Sequence, residues 1–231
     1  KHNTIANNDN TSTSGDAFST GIPSQSNPQP GAGIVSRGHS AELSAFMPAN
    51  NTFSNATMVN NIVWHNRMFS WLLDDSVVPV VTGLCPDIGG LGLACTGVTS
   101  GTTAIYDDIA VIGATGPTSS FTCTDCILTG AADPMFVAEY VHAGRQTVTN
   151  IPEGTIQAPA ALDEGGNFIR LRYGPLTQVD VDTGDLLGDY HIQAGSSALD
   201  TGSDAGVVDD FDGEPRPSII DFDIGADEVQ P

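Results

Sequence analysis

Basic side chains are what this sequence lacks most. Its 231 residues hold only seven Lys and Arg against 28 Asp and Glu, a formal net charge of −21 at pH 7. A surface this acidic is repelled by phosphate backbones and by anionic headgroups, which excludes nucleic acid as a partner and disfavours anionic membranes. Long apolar runs are missing too. The longest reaches from Val77 to Leu84 and is broken by Pro79 and Gly83, well short of the roughly 20 residues of a membrane-spanning helix. No transmembrane segment is expected. Helical periodicity is equally scarce, with no apolar stripe at 3.6-residue spacing beyond about two turns. Yet the chain is 39% hydrophobic, with 26 Gly and 14 Pro. That is too apolar for wholesale disorder and too rich in turn formers for a helical bundle.

What is present is a succession of short β-rich runs separated by Gly, Pro, Asn, Asp and Ser, at 3–6, 33–37, 57–64, 109–113, 126–129, 136–140 and 168–173. This is the all-β pattern. Residues 7–32 and 74–104 read as inserted loops between these runs.

The runs are not independent of one another. Asn3-Thr4-Ile5-Ala6-Asn7-Asn8 aligns with Asn61-Ile62-Val63-Trp64-His65-Asn66, and Cys126-Ile127-Leu128-Thr129 is a weaker third copy. A short apolar strand beside an Asn-containing bend, repeated along the chain, is the mark of a parallel β-helix. Its inward Ile, Val and Leu would stack from coil to coil, and its bend Asn residues would ladder their amides. A coil takes roughly 20–30 residues, so the wider spacing here implies several coils per repeat or large insertions.

Four cysteines, Cys85, Cys95, Cys123 and Cys126, with almost no lysine and a Thr/Ser/Asn-rich surface, indicate an exported protein in an oxidising compartment. Cys85 and Cys95 flank a Gly-rich loop that a disulfide would close. Cys123 and Cys126 form a tight pair for which a redox couple or half a metal site are alternatives, and cross-pairing between the two sets stays open. Structural disulfides are the reading adopted. The chain opens on Lys1-His2-Asn3-Thr4-Ile5, which resembles the interior of a strand and no leader, so it reads as a piece or the mature product of a longer precursor.

The C-terminal part carries a more specific pattern. A stretch including Asp189, His191 and Asp200 precedes Asp210-Phe211-Asp212-Gly213-Glu214-Pro215-Arg216-Pro217 and then Asp223-Ile224-Gly225-Ala226-Asp227-Glu228. Together these resemble the ending of bacterial right-handed parallel β-helix surface proteins with a "choice-of-anchor Q" domain. The resemblance implies a pectin-lyase-like right-handed β-helix over residues 1–175 and an acidic cap over 176–231. It also implies a secreted or surface-displayed location at the end of a larger polypeptide. Asp189, His191, Asp200, Arg216, Asp223 and Asp227 would build the cap, with Arg216 bridging the surrounding carboxylates bidentately.

Much of the charge sits there: of the 17 acids and three bases after residue 150, 14 acids and one base, Arg216, lie in the cap. Two groups of oxygens within it suit Ca²⁺. Asp180, Asp182 and Asp185 alternate beside Gly184, and Asp209, Asp210 and Asp212 crowd a second turn. The first departs from the EF-hand loop, having Ile192 where the bidentate Glu would stand. Solvated turn acids are the alternative for both.

Catalysis has little support. A polysaccharide lyase needs a basic residue near an anionic substrate, which this charge opposes. Asp107 and Asp108 are adjacent, and adjacent strand residues face opposite ways, which argues against a cooperating hydrolase pair. The five histidines are scattered through the sequence. Trp64, Phe69 and Trp71 admit an aromatic platform for sugars, with core packing as the alternative. The expectation is therefore an extracellular structural or adhesive module. Its partners would be an upstream segment of its own precursor, other subunits of a surface assembly, or glycans. A carbohydrate-binding or polysaccharide-cleaving domain is the runner-up.

Overall fold

A computed structural model describes residues 1–10, 24–25, 33–48, 52–53, 56–74, 78, 81–86, 105–112, 122–140, 177–179 and 186–231. Within these residues the chain is all-β. Its strands are β1 (Thr4–Ala6), β2 (Asp9–Asn10), β3 (Ser24–Gln25), β4 (Ile34–Arg37), β5 (Thr57–Val59), β6 (Ile62–Trp64), β7 (Arg67–Asp74), β8 (Val81–Pro86), β9 (Ile109–Ile112), β10 (Thr122–Thr124), β11 (Ile127–Leu128), β12 (Phe136–Ala138), β13 (Thr177–Val179) and β14 (Leu186–Ile192). One short helix, α1 (Ala41–Phe46), starts where the Ser40 hydroxyl accepts the Leu43 N–H, as an N-cap does.

The three sequence copies lie side by side. In the parallel sheet β1-β6-β11, Ile5 faces Val63 and Ile127 faces Ile62. The same offsets extend to neighbouring parallel pairs, with Asp9 opposite Arg67 in β2–β7 and Cys123 opposite Met58 in β5–β10. A further parallel pair joins β4 to β9.

Two columns of left-handed residues bracket the β1-β6-β11 sheet. His2, Asn60 and Asp125, with φ of +50°, +55° and +49°, precede the three strands; Asn7, His65 and Gly130, at +54°, +55° and +94°, follow them. Asn, Asp, His and Gly are the residues that tolerate this conformation most readily. The bends therefore repeat because side chains permitting them recur at the matching offset.

Amide ladders lock the register at both ends. Asn61 Oδ1 accepts the Asn3 backbone N–H at 3.0 Å and Asn3 Nδ2 at 2.8 Å. Asn66 Oδ1 does the same for Asn8, at 3.1 Å and 2.8 Å. Asn66 then donates to Asp108 Oδ1 at 2.9 Å, and Asp108 Oδ2 accepts the Thr129 N–H at 2.7 Å. Asp108 thus takes the place of a third asparagine. Buried Arg67 pairs with Asp9 through two bonds, Nε to Oδ1 at 2.8 Å and Nη2 to Oδ2 at 2.9 Å, across the β2–β7 register.

Beyond β11 the pairing turns antiparallel: β14 lies between β12 and β13. The interior between the parallel sheet, this hairpin and the C-terminal segment holds Ile62, Trp64, Ile127, Phe136, Tyr190, Ile192, Ala198, Ile224 and Ala226. Val63, on the opposite face of β6, is also fully buried.

Several sequence expectations are refined. The run 57–64 is two strands, because the left-handed bend at Asn60 divides it. The stretches read as loops contain paired strands: β2 and β3 both join β7, and β8 forms an antiparallel hairpin with β7. The run 168–173 lies outside the described residues.

Candidate functional site

Residues 196–231 form almost no regular strand, so their backbone amides need acceptors other than a ladder. Scattered backbone carbonyls supply some of them and carboxylates many others. Asp210 Oδ1 accepts the N–H groups of Asp212 at 2.9 Å and Glu214 at 2.7 Å, and its Oδ2 accepts that of Glu228 at 3.2 Å. Asp200 Oδ1 accepts those of Ile220 and Asp221. Asp223 accepts from Asp200 at 2.7 Å and Val229 at 2.8 Å. Asp227 Oδ2 accepts from Ile192 at 2.8 Å. Gly213, at φ +86°, lets the turn after Asp212 reverse.

The buried centre of this region is Arg216. Its Nη1 meets Glu228 Oε2 at 3.2 Å, the Asp223 carbonyl at 3.2 Å and His2 Nδ1 at 2.9 Å, and its Nη2 donates to the Gly225 carbonyl at 3.0 Å. The expected bidentate bridge between carboxylates does not form. Arg216 binds one carboxylate and two carbonyls, because the neighbouring acids are engaged by backbone amides. Glu228 also accepts the N–H groups of Ser218 and Asp223. Burial raises the Asp223, Asp227 and Glu228 carboxyls above their ordinary range. Burial, together with the Arg216 charge, lowers His2 to about 4. His2 Nε2 faces Asn60 Nδ2 at 2.9 Å, so the region reaches back to the first left-handed column.

A second cluster joins β14 to the turn around Asp212. His191 Nδ1 contacts Asp189 Oδ1, and Nε2 lies 2.9 Å from Asp212 Oδ2. Burial lowers the imidazole pKa, but the two carboxylates outweigh it and raise the value overall. Asp227 completes the group, and one donor atom from each of His191, Asp212 and Asp227 lies within 4.8 Å of the others. Among the described residues this is the one such set of three or more His, Cys or carboxylate donors.

A third cluster is aromatic. His65 stacks on Tyr106 with centroids 4.2 Å apart, and its Nδ1 meets Glu139 Oε2 at 2.8 Å. Glu139 also accepts from Asn7 at 3.0 Å and Trp64 Nε1 at 3.4 Å. Burial pushes Glu139 up, but these hydrogen bonds leave it below the ordinary carboxylate range.

The expected site residues separate in space. Asp180, Asp182 and Asp185 lie outside the described residues. Asp210 is held by three amides, Asp212 turns to His191, and Asp209 pairs through its backbone with Pro215. Asp189, Asp212 and Asp227 gather around His191, whereas Asp223 meets both Asp200 and Arg216. Cys123 and Cys126 form a disulfide across the left-handed Asp125, with Cα atoms 5.7 Å apart. Cys85 belongs to β8, whereas its candidate partner Cys95 lies outside the described residues. Trp64 and Phe69 are buried at 5% and 2% exposure, so they pack the interior and offer no platform to a sugar. The side chain of Trp71 lies outside the description.

Sequence reasoning missed His2 and Glu228 as partners of Arg216. The available signal was that His2 aligns with Asn60 at the repeat offset, which marks it as a bend residue of the first copy.

What these observations define is an all-β chain whose parallel strands repeat at fixed offsets, closed by a carboxylate-bonded C-terminal region. No family model, curated protein or solved structure matches it. Among the described residues, no helix is long and apolar enough to cross a membrane.

Proposed function

We propose that the chain is an extracellular structural or adhesive module, built as a right-handed parallel β-helix and sealed by a cap of the choice-of-anchor Q kind, within a larger secreted or surface-displayed bacterial protein. The observation that carries this reading is the repeated stacking of one motif. Strands and two left-handed columns recur at separations of 58 and 65 residues, and asparagine amide pairs join the first two copies at both ends. Stacked coils of a β-helix have this form, and such a stack is rigid because each coil pairs with its neighbours. The Cys123–Cys126 disulfide fits an oxidising, extracellular setting.

The cap acids have a structural role in this reading: they terminate the stack by accepting amides that no further coil would reach. Alternate residues of a strand direct their backbone groups to opposite edges. Asn3 and Asn7, which flank β1, bond to Ile62 and Trp64 of β6, so Thr4 and Ala6 direct theirs to the other edge. A preceding segment of the same polypeptide, or another subunit, would join there by strand addition.

Antibodies against the purified chain, applied to intact producing cells, test the location. Labelling that survives without permeabilisation is expected; labelling only after lysis would overturn the reading. Size-exclusion with light scattering on the whole gene product tests assembly, where a strict monomer at high concentration would count against an assembly role.

A further inference from the structure

We propose that His191, Asp212 and Asp227 form a binding site for a first-row divalent transition metal, with zinc the best-suited ion, which clips the C-terminal region onto β14. The inference stands independently of the surface-module reading. Its three donors come from three separate segments: the end of β14, the turn around Gly213, and the buried stretch 223–228. Their donor atoms lie within 4.8 Å of one another. The 2.9 Å between His191 Nε2 and Asp212 Oδ2 is shorter than the roughly 3.4 Å between tetrahedral ligands about 2.1 Å from an ion, so a small opening of this pair would seat one.

Two further observations point to a ligand. The first concerns the imidazole. Asp189 sits on Nδ1 and would hold a proton there when a metal displaces the one at Nε2, which faces Asp212. A carboxylate behind a metal-binding histidine plays this orienting role. The second concerns Asp227, which is 5% exposed. One of its oxygens takes the Ile192 N–H, and among the described residues the other accepts no hydrogen bond. That second oxygen is free to ligate a cation held between Asp227, His191 and Asp212. Arg216 does not fill that place, since its Nη groups go to Glu228, His2 and two carbonyls.

The donor chemistry selects the metal. Ca²⁺ and Mg²⁺ take oxygen ligands, whereas one imidazole nitrogen with carboxylates suits zinc and its first-row neighbours. Three carboxylates, those of Asp189, Asp212 and Asp227, surround one imidazole, so a divalent ion reduces the local negative charge.

The test uses the EDTA-stripped chain, titrated with Zn²⁺ by calorimetry and with Co²⁺ by visible absorption. One ion per chain is expected, with Co²⁺ d–d bands and a melting temperature raised by about 5 °C at a hundredfold excess over Kd. His191→Gln and Asp212→Asn should each weaken binding about tenfold or more. Asp209→Asn, a neighbouring exposed acid outside the set, should leave it unchanged. Failure of the stripped wild-type chain to bind either ion would overturn the proposal, whatever the variants do. So would binding that survives both ligand substitutions, or full competition by equimolar Ca²⁺.

Discussion

Replacing His2 by Asn should change how stability depends on pH more than it changes stability at neutrality. The imidazole is 7% exposed and sits against Arg216, with Nδ1 2.9 Å from Nη1. Burial first, and the guanidinium charge second, hold its pKa at about 4, against 6.5 in the unfolded chain. A base with a lowered folded value stays neutral in the native state while the unfolded chain takes up a proton. Its contribution is therefore complete above pH 6.5 and is lost as pH falls toward 4. At about 1.4 kcal/mol per pH unit, the loss amounts to about 2 kcal/mol at pH 5 and about 3 kcal/mol at pH 4. Asp223, Asp227 and Glu228 act in the opposite sense. Burial raises their folded values, so their contribution is present below the unfolded carboxylate range and is lost as pH rises through those values. These terms occur in both proteins and largely cancel in the difference. Asn suits the φ of +50° at this position and keeps an acceptor for Arg216 without a group that titrates. Urea unfolding followed by tryptophan fluorescence at pH 4, 5, 6 and 7 gives the comparison. The wild-type advantage over His2→Asn should shrink, or reverse, by about 3 kcal/mol from pH 7 to pH 4. A difference flat to within about 0.5 kcal/mol across that range would refute the placement of His2 against Arg216.

Three further substitutions probe the same framework. Glu228→Gln removes the carboxylate facing Arg216, which the structure buries completely on its own side, and should cost about 3 kcal/mol in urea unfolding. Asn66→Leu takes the partners from Asn8 and from buried Asp108; a loss of about 3 kcal/mol is expected, with a result below about 1 kcal/mol contradicting the ladder. Gly225→Ala places a methyl 2.7 Å from Ile62 Cδ1 on backbone at φ +110°, so thermal unfolding should show a loss of about 2 kcal/mol or more, whereas a neutral outcome would mean that this segment does not pack on β6.

The register of the parallel sheet was legible because the same side chains must recur where the backbone bends. Asn3 and Asn8 against Asn61 and Asn66 aligned by eye, and those pairs bond directly in the fold. The third copy was fainter for a physical reason: Asp108 and the Cys123–Cys126 turn replace the asparagines, so the bonds persist while the letters change. The β7–β8 hairpin was hidden by the proline, glycine and cysteine of β8, which read as loop. α1 escaped because it buries no residue and therefore shows no apolar stripe. The His191 group could not be seen at all. Asp212 and Asp227 stand 21 and 36 positions beyond it, with no periodicity linking them, and only the return of the chain over β14 brings the three together.

The excess of acid acquires a specific cause from this geometry. A chain leaving a sheet must still satisfy its amides, and the residues after Ser196 do so with side-chain oxygens alongside scattered backbone carbonyls. Asp200, Asp210, Asp223, Asp227 and Glu228 each accept at least one backbone N–H. A carboxylate offers about four lone-pair sites and no donor, so it can gather several amides where a hydroxyl or amide side chain would bring competing donors of its own. Lysine or arginine could not take this role, since neither accepts a hydrogen bond. One buried guanidinium, Arg216, suffices to link the region to the first copy through His2. Much of the negative charge after Ser196 is then a consequence of backbone bonding in an irregular terminal segment. Neutralising Asp200 or Asp210 should therefore loosen the C-terminal segment before it alters any surface association.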